Sequence, residues 1–130
     1  MKKKYNPDTV HKPLASYCHG IEISGNQLWL VLSGQVGMEP DGNLPADPIE
    51  QFRIALVNIH HNLQMAGMEI SDVIKLTMYL VGEMDPGQRR RVLASWLDGN
   101  EPCMTLICVS ALATPDIRVE IEALACKDSD

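Results

Sequence analysis

The run from Val73 to Val81 constrains this chain more than any other stretch. In a strand, successive side chains point to opposite sides, so Ile74, Leu76, Met78 and Leu80 share one face. Val73, Lys75, Thr77, Tyr79 and Val81 share the other. The first face is wholly apolar and has to lie beneath a helix. The second mixes apolar, polar and charged groups, the composition of a face that lines a site or is buried against another subunit.

Two helices are available as cover. Asp47 and Pro48 read as the cap and first turn of one, in which Phe52, Ala55, Leu56, Ile59 and Leu63 recur at helical spacing and Gly67 marks the stop. Asp85 and Pro86 open the second on the same logic, with Val92, Leu93, Trp96 and Leu97 as its stripe and Gly99 at its end. Two more strands finish the chain, Thr105 to Leu112 and Ile117 to Leu124. In the last, Val119, Ile121 and Ala123 face one way and Arg118, Glu120 and Glu122 the other. Strands alternating with helices argue for α/β or α+β, with both helices on one face of one sheet. The opposite face, holding Trp29 or its neighbours, Thr77, Tyr79 and Val81, is left bare. A chain this small covers such a face with another copy of itself, so a homo-oligomer is expected.

The apolar run Leu28 to Gly37 reads as a buried strand that stops at Ser33-Gly34-Gln35. Gly34, with no Cβ, allows a ligand close to the backbone and leaves neighbouring N–H groups reachable. Residues 20–24 read as an edge or half-buried strand, and Gly25-Asn26 as a hairpin turn leading into the Leu28 strand. Residues 38–48, with Pro40, Gly42, Pro45 and Pro48, read as a surface loop. The chain, 130 residues long, reads as one domain, with residues 1–16 an irregular arm and 126–130 a short tail.

A formal net charge of −6 argues against a general nucleic-acid binder, which needs a basic face. The consecutive Arg89, Arg90 and Arg91 read as a solvated helix face. No apolar run approaches bilayer length, so no membrane association is expected. Met1 to Lys4 is followed by Tyr5-Asn6-Pro7-Asp8 rather than an apolar stretch, and no export signal is read. Cys18, Cys103, Cys108 and Cys126 form no Cys-x-x-Cys pair and have no histidine at zinc-finger spacing. They are expected as free thiols in a reducing cytoplasm, with Cys108 a small core residue and no metal site. Adjacent His60 and His61 point in different directions around a helix and are expected at the surface.

Several pieces, in order, make the chain resemble the RidA family, also called YjgF or L-PSP. Ser33-Gly34-Gln35-Val36-Gly37 resembles the family's Ser-Gly-Gln-Ile-Gly. Gln51 to Gly67, with Ala55-Leu56-x-Asn58, resembles its first helix, and Asp72-Val73-Ile74-Lys75-Leu76-Thr77 its Asp-Val-Val-Lys-Val-Thr strand. Val119-Glu120-Ile121-Glu122-Ala123 resembles its C-terminal Val-Glu-Ile-Glu-Ala, and Tyr17 falls where the family has Pro-Tyr-Ser. The resemblance implies a chorismate-mutase-like α+β subunit with one mixed sheet. Three such subunits would pack sheet against sheet into a homotrimeric barrel with a small-molecule cleft at each interface. It also implies hydrolysis of enamines and imines such as 2-aminoacrylate to a 2-keto acid and ammonia, with no cofactor.

Carried over residue by residue, the resemblance makes Glu120 the acid that orients the attacking water. Tyr17, Ser33, Gly34 and Thr105 become cleft positions. The family's carboxylate-clamping arginine, counted without gaps from Thr77, falls at Met104, which has neither donor nor charge. Arg90, where the family usually has Asn, is a candidate replacement from another direction. His19 is a candidate acid–base group. Nothing near Cys18 or Cys103 in sequence except His19 would lower a thiol pKa, so nucleophilic catalysis is not expected. Two classes stay open: a RidA-like hydrolase (deaminase) with an altered substrate, and a non-catalytic small-metabolite-binding or regulatory protein. A ribonuclease reading finds no paired His/Lys chemistry to support it.

Overall fold

The computed structural model describes residues 1–129. In chain order it holds β1 (Lys2–Tyr5), β2 (Gly20–Ile23), β3 (Gln27–Val31), β4 (Gln35–Val36), α1 (Pro48–Met65), β5 (Val73–Val81), α2 (Pro86–Leu97), β6 (Cys103–Val109) and β7 (Val119–Asp128). The main sheet is ordered β3-β7-β5-β6, with β4 also paired to β7. β6 runs parallel to β5 and every other pairing is antiparallel, so the sheet is mixed and the fold α+β, as expected.

Both helices begin where the caps predict. The Asp47 carboxylate accepts from Ile49 N–H at 3.0 Å, and that of Asp85 from Gly87 N–H at 3.2 Å, each satisfying one of the otherwise orphaned first-turn donors. All five residues of the predicted α1 stripe are buried, in one cluster with Leu97 of α2 and with Leu76, Met78, Leu80, Val119, Ile121 and Ala123 of the sheet. Both helices therefore cover the same sheet face. One strand position departs from alternation: a register shift between Val73 and Lys75 turns Val73 inward, so that it and Ile74 are both buried.

Further expectations are corrected. First, the Leu28–Gly37 run is not a single buried strand. It breaks into β3 and β4, and Trp29 and Val31 are 54% and 72% exposed, because they lie on the face that the helices leave bare. Second, Gly25-Asn26 does not close a hairpin between β2 and β3. β2 pairs with β1 in a separate ribbon, Lys2 opposite Ile23 and Tyr5 opposite Gly20, so the arm 1–16 is only partly irregular. Third, residues 126–128 belong to β7, with Asp128 opposite Gln27 and Lys127 opposite Leu28. The final residue, Asp130, of the expected tail lies outside the described residues. Fourth, Cys108 is exposed: β6 is an edge strand, and there Cys108 borders an open concavity with Leu80, Met84 and Arg89. Of the two adjacent histidines, His61 is exposed as expected, whereas His60 is half-buried and its Nδ1 has no hydrogen-bond partner.

A buried glutamine joins the layers. Gln51, 1% exposed, donates from Nε2 to Pro45 O (2.8 Å) and Asp116 O (2.9 Å), and its Oε1 accepts from Arg118 N–H (2.8 Å). One side chain thus ties the entry of α1 to the start of β7, with every polar atom satisfied.

Candidate functional site

The pairing of the strands sorts the uncovered face into rungs, since residues directly opposite each other share a face. Leu124, Lys75 and Cys103 form one, Glu122, Thr77 and Thr105 the next, and Glu120, Tyr79 and Ile107 the third. Glu120 is also opposite Val36 of β4. The sequence alternation in β5 and β7 therefore delivers Glu120 to the open face, as predicted.

Gly34 precedes β4 and lies directly under the Glu120 side chain. A Cβ built on Gly34 would fall 2.7 Å from both Cγ and Cδ of Glu120 and would overlap Oε1. Only a glycine lets the carboxylate lie this close to the backbone. The turn is held from α1: Asn58 Nδ2 donates to Val36 O (3.0 Å) and Met38 O (2.9 Å), and Asn62 Nδ2 to Gln35 Oε1 (3.4 Å). Gly34→Ala is expected to swing the Glu120 carboxylate off this position, because the far end of a flexible side chain yields before the backbone does. The expected loss of stability is below about 1 kcal/mol. A crystal structure of the variant with an unmoved Glu120, or a larger loss in urea titration, would contradict this.

Glu120 has no ion-pair partner among the described residues. Arg118, two positions before it, turns its Nε to Val81 O at 2.9 Å instead. Across the rung, the Tyr79 phenol is raised above its ordinary pKa by hydrogen bonding to Glu122, then by burial and by the negative charges of Glu122 and Glu120.

Thr105 shares the open face, one rung from Glu120, and its Oγ1 accepts from Lys75 Nζ at 2.7 Å. Sequence reasoning noted Lys75 on this face but did not count it in the site; its even spacing from Thr77 was the available signal. Met104 lies opposite Leu76, on the helix side of the sheet, half-buried against the core cluster. Within one chain it is three residue positions and one face away from Glu120, about 10 Å along the strands. Ser33 is exposed, its carbonyl accepting from Gln35 Nε2 at 3.1 Å. Arg90 is exposed on α2, in the helical layer rather than on the open face. Tyr17 is half-buried, its hydroxyl accepting from Leu14 N–H at 3.1 Å and its ring edge-on to His19 at 5.8 Å. His19 in turn holds His11 O at 2.6 Å from Nε2. The fold thus brings Gly34, Glu120 and Thr105 to one face and leaves Tyr17 near the start of β6, where Cys18 N–H donates to Pro102 O at 3.2 Å.

A carboxylate with no ion-pair partner among the described residues, set close over glycine backbone, can orient a water and accept its proton. Among the described residues no group of three or more His, Cys, Asp or Glu is arranged to hold a metal ion, and no helix is long and apolar enough to cross a membrane.

Comparison with known proteins agrees with the fold. The chain is 33% identical over 98 residues to a 2-iminobutanoate/2-iminopropanoate deaminase of Mus musculus, covering 74% of this chain and 72% of that one. Among solved structures, a member of the conserved Rid protein family, YyfB of Yersinia pestis, superposes with a TM-score of 0.83 at 30% identity, covering 97% and 98% of the two chains. TdcF of Escherichia coli, solved with bound serine, superposes with a TM-score of 0.70 at 26% identity, covering 97% and 99%. The family model described as Endoribonuclease L-PSP matches residues 9–127, nearly the whole chain, which therefore belongs to this family, known also as YjgF or Rid.

Proposed function

We propose that this chain is a deaminase that hydrolyses small enamines or imines of the 2-aminoacrylate type at a cleft between subunits of a homotrimer. The observation that carries this reading is the Glu120 carboxylate, unpaired and seated over Gly34 on the uncovered face. The deaminase name of the murine relative supports the reaction class, and the serine in TdcF supports a ligand of amino-acid size. The exposed Trp29, Val31 and Ile107 on the same face support its burial by further copies of the chain.

In the reaction, Glu120 accepts a hydrogen bond from water and aims its oxygen at C2 of the imine tautomer. As the C–O bond forms, Glu120 takes the water's proton and the C=N π pair moves onto nitrogen, to which Glu120 returns that proton. The resulting carbinolamine expels ammonia as its hydroxyl proton leaves, and a 2-keto acid remains. Tyr17, Ser33, Gly34 and Thr105 border the cleft, with backbone N–H groups near Gly34 facing the substrate carboxylate. Met104, half-buried on the helix side of the edge strand, supplies neither a donor nor a charge to that carboxylate, which favours a substrate bulkier or less charged than 2-aminoacrylate. Arg90 has no role in this scheme, being exposed in the helical layer.

The test follows consumption of enzymatically generated 2-aminoacrylate, with light scattering on the same preparations. Turnover by a species of three chains is expected, and Met104→Arg is expected to raise kcat/KM by about tenfold or more, the scale of a charge-assisted bidentate contact. Turnover by neither protein overturns the deaminase reading in favour of a non-catalytic metabolite binder. A monomer overturns the interface.

A further inference from the structure

Cys18 and Cys103 are 85 positions apart in sequence, yet their Sγ atoms lie 3.9 Å apart. Cys103 Sγ also approaches His19 O at 3.8 Å. Cys18 is buried and sits in an irregular segment, restrained by one backbone hydrogen bond to Pro102 and by no strand ladder. Cys103 is half-buried at the first position of β6. A disulfide requires the sulfurs to be about 2.0 Å apart. The present gap has to close by about 1.9 Å, within reach of a side-chain rotation and a small shift of the Cys18 segment. No other pair of thiols approaches this closely among the described residues.

We infer that Cys18 and Cys103 are a dithiol site for low-molecular-weight disulfides, which convert it to an intrachain disulfide linking the Tyr17 segment to β6. Cys103 is the entry point, because it is half-buried whereas Cys18 is buried. Its thiolate attacks one sulfur of the small disulfide, forming a mixed disulfide and expelling one small thiolate. Cys18 then yields its proton to solvent, and its sulfur attacks Cys103 Sγ, forming the protein disulfide and expelling the second small thiolate. The chain loses two electrons and two protons, and the reagent becomes two thiols. Burial first, then the charge of Cys103 across the gap, pushes the Cys18 thiol up to about 11. Cys18 is therefore a thiol in the reduced protein and serves as the resolving group. The link fixes the segment bearing Tyr17 relative to Met104 and Thr105, the residues that follow Cys103.

The experiment equilibrates the full chain with oxidised and reduced glutathione at graded ratios, blocks free thiols and maps the peptides. The expected product is a peptide pair joined through Cys18 and Cys103. It should be accompanied by a rise of about 5–10 °C in Tm from closing so long a loop, reversed by dithiothreitol. Cys108→Ser should retain both signals, and Cys103→Ser should lose both. Cys18 is buried and its replacement could unfold the chain, so the half-buried Cys103 and the map of the unmutated protein decide the result. Glutathione persisting on Cys103, or crosslinks that run only between chains through Cys108, would overturn the proposal.

Discussion

Glu120→Ala is expected to lower kcat for the proposed hydrolysis of 2-aminoacrylate by about a hundredfold to a thousandfold, with KM changed much less. This lies within the usual range for removing a positioned acid–base group, and it falls on kcat because water is oriented chiefly in the transition state. The loss of stability stays below about 1 kcal/mol, since Glu120 is only half-buried and makes no ion pair among the described residues. Glu120→Gln keeps the size and one acceptor oxygen but cannot take a proton, and falls between the two. Stopped-flow or coupled assays at saturating substrate read the effect. An Ala variant within threefold of the unmutated protein would remove Glu120 from the chemistry. Gly34→Ala acts on the same carboxylate from below and shares the direction of the change.

Gly37→Ala destabilises the fold by about 3 kcal/mol or more, the upper range for overpacking. A Cβ there would lie 2.6 Å from the carbonyl carbon of Gln51 and nearer still to its Cα and O. Those atoms belong to the helix backbone, which cannot rotate aside as the Glu120 side chain can above Gly34. Moving α1 away would also stretch the three hydrogen bonds of Gln51, to Pro45, Asp116 and Arg118, and expose unsatisfied buried groups. Gly37 is not among the residues with positive φ, so the cost is steric rather than conformational. Urea titration gives the number; a loss under 1 kcal/mol would mean that the β4–α1 junction repacks freely. The two glycines of one short motif are thus separable: one guards the position of a carboxylate, the other the seating of a helix.

The helices and the two long strands were legible because their information is local. The α1 stripe and the Asp47 and Asp85 caps follow from 3.6-residue periodicity and first-turn donors, and the alternation in β7 alone places Glu120 and Glu122 on the face opposite Val119, Ile121 and Ala123. The β1–β2 ribbon was not legible. Lys2 to Tyr5 shows no alternation, and Gly20–Ile23 pairs back with it across a long loop rather than forward with β3. Cys108 looked like core by composition, and only the position of β6 at the sheet edge exposes it.

The candidate site divides along the same line. From the sequence by itself came its residue types, the face on which Glu120 stands, the bare sheet face and the absence of arginine at Met104. The tertiary structure alone decided that Glu120 rests on Gly34, that Met104 lies on the helix side, that Arg90 stands apart in the helical layer and that Cys18 meets Cys103. Periodicity records which side of an element is buried. Which distant residues then touch depends on register and layer packing, to which the whole chain contributes.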